Sequence, residues 1–175
     1  MHTFMLGIAK RTLIISTFVA LTASGTTFIA PANAQDATAS AFERQVVRLT
    51  NQARANGAVC GGIRKPPAPP LAWNSGLGRA ARKWSRHLAS AGRLSHNRMR
   101  QRIQAVRLKA CGKRLNWGEN VAYNASPQRV VQAWLRSASH CKNIMNPQFR
   151  MIGVGMVQRG RRQYYTQLFH SSPGC

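Results

Sequence analysis

The sequence predicts an α+β fold in which helices cover a small antiparallel sheet. Three observations predict it. Apolar residues recur at helical spacing in two segments, 37–57 and about 75–91. A third helix is announced by Ser126 and Pro127, a cap followed by a first-turn proline. Two strand-like runs, "MIGVGMV" and "YYTQLF", are joined by the turn-prone "QRGRR". The order helix, helix, strand, helix, hairpin keeps helices apart from a sheet and calls for no second domain.

In the first segment Phe42, Val46, Leu49 and Ala53 fall at i, i+4, i+7 and i+11, on one face, and Gly57 can end the helix. "CGGIRKPPAPP" reads as an extended loop, because Pro and Gly interrupt helix and strand alike. Asn74 can cap the second helix, whose apolar face is Leu77, Ala80, Ala81, Trp84, Leu88 and Ala91, with Gly92 closing it. "RLSHN" is a loop holding His96. "RMRQRIQAVRLKACG" reads as a short basic helix or irregular coil, with Met99, Ile103, Val106 and Ala110 inward. "LNWGENVAYN" reads as a short strand or extended piece. The third helix buries Val130, Val131, Trp134, Leu135 and Ala138 and ends near His140.

Charge sets this chain apart. Its 175 residues hold 26 basic and 3 acidic side chains, a formal net charge of +23. Hydrophobic content of 44% excludes a disordered polycation. Self-repulsion must then oppose folding, and the surface must adhere to polyanions. From Arg44 to Cys175 the one carboxylate is Glu119, inside "WGENVAYN". Acids are scarce along the whole chain, so the excess is a general property of the surface more than a local patch.

The first 34 residues read as a signal peptide. Lys10 and Arg11 precede the apolar run "TLIISTFVALTASGTTFIA", and "ANA" ends at Ala34 with the small residues of a cleavage site. Residues 35–175 then form the single mature domain, exported to periplasm or medium, with no later span for a membrane. In such a compartment the four cysteines, Cys60, Cys111, Cys141 and Cys175, suggest two disulfides, and three connectivities fit. No CxxC pair occurs, which argues against a Cys-only zinc knuckle, and HExxH and GxSxG are absent.

Six pieces in order carry a family resemblance: "LTNQARANG", "PPLAWNSGLGRAARKWSRHLAS", "LSHN", "WGENVAYN", "VVQAWLRSASHCKNIMNPQFRMIGVGM" and "YYTQLF". Over about residues 42–169 the chain resembles the CAP superfamily of cysteine-rich secretory, antigen 5 and pathogenesis-related 1 proteins, in its short bacterial secreted branch. The resemblance implies an α–β–α sandwich (the SCP fold) with a cleft of two histidines and up to two glutamates, a site at which some members hold a divalent metal. Residue by residue, it places His96, Glu119 and His140 in the cleft. The second glutamate is replaced by Ser137, which reduces the tetrad to a triad. It also implies Cys60–Cys141, and Cys111–Cys175 by remainder.

Two imidazoles and a carboxylate are a zinc-type set, or a proton-sharing cluster. The plainer reading pairs Glu119 with a nearby arginine. His87 and His170 read as surface residues, Trp73, Trp117 and Trp134 as packing, Asn120 and Asn143 as turn supports, and Ser137 as a small packing residue. Three functions follow. The first is a non-catalytic binding module for an anionic envelope polymer, lipid or peptide, with no required cofactor. The second is a hydrolase using zinc, another divalent cation or paired histidines. The third is a non-specific binder of polyanions such as nucleic acid, through the arginines of 98–114 and 158–163.

Overall fold

The structure, a computed structural model, describes residues 39–106, 116–124 and 126–171. The signal-peptide segment 1–34, residues 107–114 of the basic stretch with Ala110, and both Cys111 and Cys175 lie outside them.

Helix α1, Ala41–Asn56, starts at a capping box: Ser40 Oγ accepts from Glu43 N, and the Ser40 amide donates to Glu43 Oε2. Its buried stripe differs from the expected apolar one. Phe42 is exposed at 43%, and the buried positions are Glu43, Val46, Thr50 and Arg54. The helix is rotated because its inner polar groups find partners. The Glu43 carboxylate takes two bonds from Arg82, at 2.7 and 2.9 Å. Arg54, fully buried, donates to the carbonyls of Pro69, Ile144, Asn146 and Phe149. Burial and then the neighbouring Arg150 charge lower its pKa to about 10.

The expected loop after α1 begins instead as a small hairpin, β1 (Ala58–Cys60) with β2 (Ile63–Lys65). Gly61 and Gly62 have φ of 58° and 82°, the two left-handed positions of a two-residue turn. The prolines of 66–70 then lead to β3, Ala72–Trp73. Asn74 caps α2, Ser75–Ala91, by accepting from Leu77 N, and Gly92 closes it in the left-handed region. A short helix α3, Met99–Gln104, follows the His96 loop. Strand β4 is Trp117–Asn124. The expected third helix is broken at Ser137 into α4, Pro127–Arg136, and α5, Ala138–Ile144. Strands β5, Met151–Arg159, and β6, Arg162–His170, complete the chain.

The main sheet has the order β3-β5-β6-β4, antiparallel except for the β3–β5 pair. The pleat sorts its side chains between two faces. Ile152, Val154, Tyr165 and Phe169 meet α1, α4 and α5 in one cluster with Val46, Val130, Trp134 and Ile144. On the other face Met151 and Leu168 meet Leu77 and Ala81 of α2, and Tyr164 meets Trp84 and Leu88. The result is an α–β–α sandwich. Helix α2 lies directly on β5 because Gly153 and Gly155 face it. A Cβ on either would sit 2.1–2.5 Å from atoms of residues 77–82. Cys60 and Cys141 are disulfide-bonded and join the β1–β2 hairpin to α5.

Candidate functional site

The site is built at the edge strand β4. Glu119 sits on the α2 side of the sheet and is 3% exposed. An isolated buried carboxylate is costly, so its oxygens need donors. Arg102 of α3 supplies a two-pronged fork, Nη1 to Oε2 at 2.8 Å and Nη2 to Oε1 at 3.0 Å. His96 supplies a third contact, Nδ1 to Oε1 at 2.9 Å. Burial raises the carboxyl above its ordinary pKa, while Arg102 and His96 pull the other way. Burial likewise lowers the Arg102 pKa against the pull of Glu119.

Trp84 organises both partners of Glu119. Its indole Nε1 donates to the Ser95 carbonyl at 2.9 Å, fixing the loop one residue before His96. Its ring lies 3.6 Å beneath the Arg102 guanidinium carbon. The sequence placed Trp84 on a core face and Arg102 in a basic run, with no signal that they would stack.

His140 comes from α5 on the other side of the edge strand. Its ring centroid is 6.3 Å from that of His96, tilted by 36°. Burial, and then the neighbouring His96 charge, lower its pKa. Two asparagines hold α5 there, and they are not turn residues. Asn120 donates to the His140 carbonyl at 3.2 Å, and Asn143 donates to the Glu119 carbonyl at 3.1 Å and to Asn120 Oδ1 at 2.9 Å. Asn120 also donates to Gln167, which donates to Thr50 of α1. A buried polar chain thus runs from α1 through the sheet to the site.

His96, Glu119 and His140 therefore come together through His96, and Ser137, the fourth residue expected there, is the cap residue between α4 and α5. Its hydroxyl lies 3.3 Å from Ser139 Oγ. His87 is exposed and stacks on Trp84 at 4.5 Å. His170 corrects the surface reading: it is 2% exposed at the end of β6, and burial lowers its pKa. The tryptophans expected to pack do so, with Trp73 and Trp134 buried and Trp117 against the α2–α3 cluster. Arginines of 158–163 also have structural work, since Arg159 donates to the Ala89 and Ser90 carbonyls at the end of α2.

A model of the family described as "CAP: Cysteine-rich secretory protein family" matches residues 47–169. The chain belongs to the CAP family. Among the relatives of this CAP chain, the uncharacterised protein YkwD of Bacillus subtilis (strain 168) is 34% identical over 132 residues, 74% of this chain and 47% of the relative. A solved extracellular protein with an SCP domain from Bacillus anthracis superposes with a TM-score of 0.59 at 27% identity, over 74% of this chain and 40% of the other. An outer surface protein from Borrelia burgdorferi gives 0.54 at 20% identity, over 73% and 86%, a likeness of fold. The chain spans about half the length of the Bacillus subtilis relative.

The divalent metal that the resemblance implies has to be fitted to His96, Glu119 and His140 as they stand in this CAP chain. Both Glu119 oxygens already accept from Arg102, and His96 Nδ1 is turned to Glu119. Among the described residues no group of three or more His, Cys, Asp or Glu is arranged to hold a metal ion. A dication would have to approach a carboxylate already neutralised by a fixed guanidinium. The residues present do not fit the metal in this arrangement.

Proposed function

We infer that this CAP chain is an exported, non-catalytic binding module that receives an anionic or hydroxyl-bearing group of an envelope polymer at His96 and His140. One observation carries the reading. Glu119 is committed to Arg102 and His96, so it serves as a local anchor and not as a free general base or metal ligand. His96 remains half exposed beside His140, offering imidazole donors at the mouth. The chain's large excess of basic over acidic residues favours anionic polymer over neutral ligands. Export rests on residues 1–34, together with the extracellular and outer-surface descriptions of the structural neighbours. Among the described residues no helix is long and apolar enough to cross a membrane.

The test is retention on an immobilised poly(glycerol phosphate), read as elution salt, beside turnover of chromogenic ester and peptide substrates with and without EDTA. The expected result is retention that falls with salt, earlier elution for His96→Ala/His140→Ala, and no turnover. Turnover that depends on His96 or on metal would contradict it. The hydrolase reading keeps one favourable observation, the Glu119–His96 bond, which orients an imidazole as a base-positioning carboxylate does.

A further inference from the structure

Apart from the His96–His140 pair, a cavity of about 590 Å³ lies between α2 and α3. Its volume falls within the range of roughly 300–1,000 Å³ seen for small-molecule sites. Among the described residues four cations line it, Arg79, Lys83, Arg98 and Arg102, and no acid does. Arg102 is spent on Glu119. The other three have no carboxylate within the described structure. The chain has three acids in all, and of these Glu43 holds Arg82 and Glu119 holds Arg102. Cations gathered in a concavity repel one another more than cations on an open surface, so the pocket favours an anion.

The rest of the lining is not what a bare anion needs. Ala80, Trp84, Ala105 and Val106 form an apolar bed beside the cations. Gly76 lets α2 approach the chain leaving α3 at the edge of this bed; a Cβ there would come within 2.6 Å of Val106 Cγ1. At its other side His87 stacks on Trp84, giving an aromatic wall. A hydrated polyanion track would leave this bed wet, whereas a ligand with both an anionic head and an apolar tail matches both parts.

We propose that the α2–α3 pocket is a binding site for a single-tailed amphiphile with a phosphate-type head. The head lies among Arg79, Lys83 and Arg98, and the tail lies on Trp84, Ala80 and Val106. The proposal deepens the binding-module reading and rests on it only in assigning the chain a ligand in place of a reaction. The site is distinct from the His96–His140 mouth and shares with it the Arg102–Trp84 stack.

The experiment is calorimetric titration of the mature oxidised protein with hexyl, octyl and decyl phosphate below their micelle concentrations. Inorganic phosphate and decyltrimethylammonium are the controls. Affinity is expected to rise about three- to fourfold per added methylene until the bed is filled. Inorganic phosphate should bind far more weakly, and the cationic amphiphile not measurably. Arg79→Gln/Lys83→Gln, both at exposed positions, should weaken decyl phosphate about tenfold. Ala105→Trp, also exposed, should block the tail and abolish the chain-length dependence while the melting temperature holds. Affinity independent of tail length, equal binding of the cationic amphiphile, or indifference to all these variants would overturn the proposal. Retention on poly(glycerol phosphate) separates the two readings. If it persists without amphiphile binding, the pocket inference alone fails; His96-dependent turnover would sink the binding-module reading and leave the pocket untouched.

Discussion

At the scale of the residue, Glu119 is the centre of the account. A buried carboxylate with a two-pronged guanidinium is costly to break from one side, because the survivor stays buried and uncompensated. Arg102→Met is therefore expected to cost about 3–5 kcal/mol in urea unfolding. Glu119→Gln/Arg102→Met should recover part of that loss, and the double-mutant cycle measures the coupling. If the single variant costs less than ~1 kcal/mol, the fork is ornamental. The singularity of Glu119 was legible in the sequence, as was its family position beside His96 and His140. Its partner was legible only as "a nearby arginine". Eight basic residues between 93 and 114 compete for that role in one dimension, and the stack on Trp84 that selects Arg102 exists only in three.

At the scale of the element, Arg54 shows why helix α1 departs from its apolar pattern. Periodicity looks for apolar residues, and this helix buries a polar stripe whose partners lie far along the chain. Arg54 is bound to the end of α5 and the segment before β5 by carbonyls alone, at 2.6–3.3 Å. Arg54→Ala would leave several buried carbonyls without donors and open a cavity, an expected loss of about 3–5 kcal/mol by urea denaturation. Arg54→Lys should recover little of it, since one ammonium cannot reach four acceptors in that spread. Helix α2 was legible in its bounds, through Asn74 and Gly92, and in Leu77, Ala81, Trp84 and Leu88 of its inner face; Ala91, expected on that face, is exposed, and Ala89 is buried instead. The closeness of α2 to β5 was not: "MIGVGMV" announces a strand, but nothing in it says that a helix backbone fills the space over Gly153 and Gly155. Gly155→Ala should destabilise by about 2 kcal/mol or more, through overpacking against Ala81 and Arg82. The break at Ser137 was also hidden, since the apolar stripe continues across it into Cys141 and Ile144.

At the scale of the whole molecule, charge and protonation set the conditions under which the fold persists. Raising salt from ~0.01 to ~0.15 M shortens the screening length from about 30 to about 8 Å. With a net charge of +23, the melting temperature is expected to rise over that range. His140 and His170 add a pH term. Burial lowers both native pKa values below the ordinary 6.5, for His140 with a further push from His96. As pH falls below that value the unfolded chain takes up protons first, so stability is full above it and is lost as pH drops through the native values. His140→Asn should flatten part of that slope in denaturation measured from neutral pH downward. The fold class and the sandwich were legible here because the element order, the helix caps and the family motifs agree. The electrostatic state of the cleft was not, because it depends on which cation the single carboxylate meets. Calorimetric zinc titration of the wild type beside His96→Ala/His140→Ala measures that state most directly. A cleft neutralised by Arg102 predicts indistinguishable, weak heats for both proteins; one-to-one binding in the wild type that disappears in the double variant would contradict it.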